Sequence, residues 1–233
     1  MGLFLKFALR FTMASPLITL LKKEFQIEIR SGTALAGLAL YLVSTIFICY
    51  LVFWINQGQL TPLTWSALYW IILMFTLIST AAKSFIGERK GIFIYYYSIV
   101  SPHTIILAKI LYNTFLALIL SLTGLLLFTL FLGNPIYDLG VFVLVTVMAS
   151  FGFAASLSLL SAIASKADHG AVLMALLSFP VIISILFLSI RATKNCIDGL
   201  GFSACQDEII TLAAINCLIA AVSYILFPFI WKS

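Results

Sequence analysis

Charge is what this sequence has least of. Thirteen Lys and Arg and eight Asp and Glu amount to 9% of its 233 residues, against roughly a quarter in a typical soluble domain. So few charges cannot solvate a surface of this size in water, and water is excluded as the main solvent. Catalytic signatures are equally scarce. There is no GxxxxGK[ST] phosphate loop, no HExxH and no GxSxG, so the chain cannot be its own ATPase by that route, nor a zinc peptidase or serine hydrolase of those types. Neither CxxC nor CxxCH occurs, which removes a dithiol redox motif and covalent haem attachment. The two histidines, His103 and His169, fall at predicted helix ends and read as helix-terminus residues rather than ligands. No catalytic, cofactor-binding or metal-ligating set is expected.

What is abundant is apolar side chain: 63% of residues, with a mean hydropathy of +1.18. A bilayer core about 30 Å thick needs about 20 such residues per helical span. Six stretches qualify: Thr33 to Ile55, Thr64 to Ala82, Thr104 to Leu132, Leu139 to Ser165, Ala171 to Ile190 and Ile209 to Ile230. The runs are unbroken, whereas barrel strands would alternate apolar and polar residues over about 10 positions. The fold class expected is an all-α membrane protein with six transmembrane helices, residues 1–233 forming one domain. Lys109 is the one charge inside these spans, near a helix end from which a lysine can snorkel to the headgroups. No Asp, Glu or His lies within them, which disfavours an ion-driven transporter. Energy for uphill transport would enter through another chain.

Orientation follows from the basic residues. With the N terminus inside, Lys6, Arg10, Lys22, Lys23, Arg30, Lys83, Arg89, Lys90, Lys109, Lys166 and Lys232 fall on the cytoplasmic side, and only Arg191 and Lys194 fall outside. The positive-inside rule therefore places both termini in the cytoplasm. The net charge of +5 is accounted for by this bias, and no basic cluster interleaved with exposed aromatics points to nucleic acid.

Before the first span, Ser15 and Pro16 read as an N-cap and first helical residue. Ile18, Leu21, Phe25 and Ile29 then recur at spacings of three and four, with Lys22, Lys23, Glu24, Gln26, Glu28 and Arg30 between them. This describes an amphipathic interfacial helix over residues 15–30, either a simple membrane anchor or an elbow that also touches a cytoplasmic partner. The natural start is Met1 or Met13. The stretch from Lys83 to Pro102, KSFIGERKGIFIYYYSIVSP, is the largest break between spans and faces the cytoplasm in this topology. The longest outer loop, Arg191 to Glu208, holds Cys196 and Cys205, which on an oxidising face either pair as a disulfide or remain two free thiols. Pro180 is expected to bend the fifth span.

Three stretches carry a family resemblance. KKEFQIEIR precedes the first span. Phe85, Gly87-Glu88-Arg89, Gly91, Ser101-Pro102 and Ala108-Lys109 lead into the third. LSLLSAIASKADHGAVLMALLSFPVIIS runs from the fourth span into a proline-bearing fifth. Together they resemble the haem exporter B family (CcmB), the ABC-type permease subunit of cytochrome c maturation. The resemblance implies a bacterial inner-membrane protein of ABC exporter permease type, paired with a second copy. It also implies a cytoplasmic ATPase of the CcmA type, a haem-handling membrane subunit of the CcmC type and a periplasmic haem chaperone. Haem would be cargo rather than a bound cofactor, and ATP would be hydrolysed by the partner. Glu24, Glu28, Arg30, Phe85, Glu88, Arg89 and Gly91 are the residues expected to couple to the ATPase, with residues 83–102 as the coupling loop. A permease of similar layout for a lipid, drug or polysaccharide, and an assembly subunit that moves nothing, are the competing readings.

Overall fold

A computed structural model describes residues 16–29, 33–55, 60–85, 100–166 and 170–232, all of whose regular elements are helices. The interfacial helix α1 occupies 16–29. The spans are α2 (Thr33–Ile55), α3 (Pro62–Phe85), α4 (Pro102–Leu132), α5 (Leu139–Ala164), α6 (Gly170–Ile197) and α7 (Gly201–Lys232). All six are long and apolar enough to cross a membrane. Six crossings put α1, the start of α4 and the end of α7 at one end of the bundle, and the α4–α5 and α6–α7 turns at the other.

Helix starts follow local chemistry. Thr61 Oγ1 accepts from the Thr64 amide at 3.2 Å ahead of α3, and Asp138 Oδ1 accepts from the Val141 amide at 3.2 Å ahead of α5, each relieving a donor that has no intrahelical partner. Pro102 opens α4, where its missing amide costs nothing. Pro180 lies inside continuous α6, where the Ser184 hydroxyl donates to its carbonyl at 3.4 Å. A second internal proline, Pro228, lies in α7.

The expected outer loop from Arg191 to Glu208 is instead two helix ends and a short turn. α6 continues past its apolar stretch to Ile197 and α7 already begins at Gly201. Helix is the cheapest way to satisfy backbone groups near a membrane surface, and Lys194 in the last turn of α6 faces the negative end of the helix dipole. The reversal is made at Gly199 (φ +68°), whose Cα side is covered by the Tyr137 ring, 3.1 Å from where a Cβ would sit. Asp207 and Glu208 thereby enter the sixth span. Glu208 is buried, which overturns the expectation of spans free of acidic residues.

Packing centres on α5, which touches α3, α4, α6 and α7; 67% of its apolar window is buried, against 17% for α2. Small residues permit this. Gly124 of α4 packs on Leu73 and Tyr69 of α3, and Gly152 of α5 packs on Asn216 of α7 and Ile185 of α6, so these close approaches are made within one chain. Toward the turn end, Trp65, Tyr69, Trp70, Phe128 and Phe142 form an aromatic core. Their polar edges are all used: Trp65 Nε1 donates to the Gly133 carbonyl at 3.0 Å, Trp70 Nε1 to Thr193 Oγ1 at 2.9 Å and the Tyr69 hydroxyl to the Ser121 carbonyl at 3.1 Å. In hydrocarbon no water would satisfy these groups.

Candidate coupling site

The junction of α1 with α4 holds a largely buried group of paired charges. Lys109 sits two turns into α4, and its side chain is 4% exposed. A lysine so placed must either reach water or meet an anion. It meets one: its Nζ lies 3.0 Å from Glu24 Oε2 of α1, while Glu24 Oε1 takes Lys23 Nζ at 3.0 Å. In place of the expected snorkelling to the headgroups, the Lys109 ammonium is buried against a carboxylate of α1.

One turn further along both helices, the Tyr112 hydroxyl donates to Glu28 Oε2 at 3.1 Å. Glu24 and Glu28 are four apart on α1, and Lys109 and Tyr112 three apart on α4, so each pair shares a helix face. Phe25 fills the space between, edge-on to Tyr112 (5.3 Å between ring centroids) and to Phe115 (5.1 Å). Sequence periodicity assigned the apolar face of α1 to Ile18, Leu21, Phe25 and Ile29. In the structure Leu20 is buried and Leu21 and Phe25 pack on the core, while Ile18 and Ile29 are exposed, Ile29 at 75%. The two glutamates turn inward because Lys109 outweighs a methyl-lined surface as a destination for a carboxylate.

From α4 the contacts continue into the bundle. Asn113 Nδ2 donates to Ser158 Oγ of α5 at 2.7 Å, and the Ser121 and Ser150 hydroxyls lie 3.2 Å apart. At the start of α4, His103 stacks on Tyr224 of α7, 4.1 Å between centroids and 21° between planes. Thus α4 holds α1 on one side and α5 and α7 on others.

Of the other residues expected to couple to an ATPase, Phe85 is the last residue of α3. Arg30, Glu88, Arg89 and Gly91 lie outside the described residues, as do Tyr95, Tyr96, Tyr97 and His169. Cys196 and Cys205 face each other as thiols, Sγ to Sγ 3.9 Å, both buried. Sequence reasoning missed the Lys109 and Tyr112 partners. The signal was present, since a lone span lysine calls for a counter-ion and Glu24 and Glu28 have the matching spacing. No group of three or more His, Cys, Asp or Glu that could hold a metal occurs among the described residues. Compared with protein-family models, residues 15–231 match the family described as CcmB protein. No curated protein and no solved structure matches the chain.

Proposed function

The chain belongs to the CcmB family of haem-exporter membrane subunits, and from that premise we propose that it is the driven half of an ATP-powered complex in the bacterial inner membrane. In this reading both termini are cytoplasmic, and a separate cytoplasmic ATPase of the CcmA type docks on α1 and on residues 83–102. Arg30, Phe85, Glu88, Arg89 and Gly91 supply the docking contacts. Two copies of the chain work together with a CcmC-type haem-handling subunit. ATP hydrolysis serves haem delivery or the release of a haem-loaded periplasmic chaperone.

The observation that carries the coupling is the buried pair of Lys109 and Glu24. Breaking a buried ion pair costs up to about 3–5 kcal/mol. A displacement of α1 by an ATPase below that limit therefore moves α4 with it, instead of sliding α1 over its surface. Glu24 and Glu28 act in this reading as the grip of α1 on α4, and Glu88 and Arg89 give the docking surface its register. Through Asn113 and Ser158 the displacement reaches α5, which touches four other spans.

The test is to purify the complex with Glu88→Arg and Arg89→Glu combined and, separately, with Lys109→Met. The charge reversal should abolish co-purification of the ATPase. Lys109→Met should leave the ATPase bound but lower its stimulation by the membrane subunits. Undiminished assembly in the first variant and undiminished stimulation in the second would sink the proposal.

A further inference from the structure

We propose that Cys196 and Cys205 close into an intramolecular disulfide that staples α6 to α7 at the end of the bundle opposite α1. Four observations meet there. The sulfurs already lie 3.9 Å apart, and Cys205 Sγ also lies 3.5 Å from the Ala192 carbonyl, one turn below Cys196. Closing to the bond length of about 2.05 Å brings the sulfurs together by less than 2 Å from their 3.9 Å separation. The two cysteines flank the tight α6–α7 turn, so their spacing is fixed by the fold and not by chance encounter. A metal is the other chemistry a thiol pair serves, and no third ligand completes a site among the described residues.

The remaining contacts at this end are non-covalent ties between the same elements. The Asp138 amide donates to the Cys196 carbonyl at 3.2 Å, joining the start of α5 to the end of α6. Asn195 Nδ2 donates to the Ala204 carbonyl at 2.9 Å, and Arg191 Nε lies 3.6 Å from Glu208 Oε1. Arg191 is 60% exposed, so its pairing is screened and weak, whereas a covalent bond is not. With the staple closed, this end is the fixed end, and motion entering at α1 is taken up at the other.

The chemistry balances as thiol–disulfide exchange with an external oxidised dithiol of the periplasm. A thiolate of one cysteine attacks that disulfide to give a mixed disulfide and releases one thiol. The second cysteine then displaces the other thiol. The pair loses two protons and two electrons, and the oxidant leaves as a dithiol. Because both sulfurs are buried in the folded chain, the exchange takes place while the hairpin emerges and before it packs. The inference rests on the orientation proposed above, since only the periplasmic face is oxidising.

The test uses the wild-type chain in cells quenched with acid. Free thiols are blocked with N-ethylmaleimide, the protein is reduced, and newly exposed thiols are tagged with maleimide-polyethylene glycol. Two tags per chain are expected, falling to none in Cys196→Ser and in Cys205→Ser and persisting when Cys49 and Cys217 are replaced by Ala. On a non-reducing gel the wild-type chain should run as a monomer, and reductant should lower the melting temperature of wild type but not of the double serine variant. A reporter fused to the C terminus reads orientation independently. No tags with a cytoplasmic C terminus would overturn the staple itself. No tags with a periplasmic C terminus would overturn the orientation on which it rests. A reductant-sensitive dimer would overturn the intramolecular pairing.

Discussion

Lys109 of α4 and Glu24 of α1, 85 residues apart in the chain, stand 3.0 Å apart with side chains 4% and 12% exposed and join the two helices. The pair ties the two helices by charge where both side chains are largely withdrawn from solvent.

Glu24→Gln removes the carboxylate 3.0 Å from that lysine, and a loss of up to about 3–5 kcal/mol is expected. Glu24→Lys with Lys109→Glu restores the attraction with reversed polarity and should recover most of it, as read from thermal inactivation in detergent. A double variant no more stable than the worse single variant would show that the pair is not a unit.

Tyr112→Phe keeps the ring against Phe25 and removes only the hydroxyl that Glu28 accepts. A small loss of about 0.5–1.5 kcal/mol is expected, whereas Phe25→Ala, which removes a half-buried ring packed on two others, should cost more, about 2–3 kcal/mol. Equal losses from the two would mean that the hydrogen bond, and not packing, holds α1 in place.

At Gly152 a methyl group would fall on Asn216 Oδ1 and come within 3.2 Å of Ile185 Cδ1. Gly152→Ala should destabilise the bundle by about 1–3 kcal/mol, and Asn216→Ala in the same chain should relieve part of that. Gly124→Ala meets only Leu73 Cδ2 at 3.3 Å, the far end of a flexible side chain, and should be milder. A reversed order, measured by melting in one detergent, would contradict the packing described.

Trp70 and Thr193 form a buried side-chain hydrogen bond of 2.9 Å between α3 and α6. A double-mutant cycle with Trp70→Phe and Thr193→Val should give a coupling of about 0.6 kcal/mol and no more than about 1.7, the range of such bonds within membranes. A coupling indistinguishable from zero would mean that the two groups find other partners.

Sequence by itself determined that there are six spans, that an amphipathic helix precedes them and where the longest inner break falls. These follow from local properties: run length against bilayer thickness, spacing of apolar residues and capping chemistry. The family was legible for the same reason, since its motifs lie at span boundaries. Tertiary structure alone decided which face of α1 is buried, because periodicity weighs Ile18 and Ile29 as apolar without knowing that Lys109 waits opposite Glu24. It alone decided that Arg191 to Glu208 is a helical hairpin, because helix can continue past the apolar run when its backbone bonds and end charges are satisfied. And it alone brought Cys196 within 3.9 Å of Cys205, a contact set by the turn at Gly199 and Gly201. Hydropathy reports how each segment relates to lipid. Which segment each charge and sulfur meets depends on packing between helices, and no local pattern carries that information.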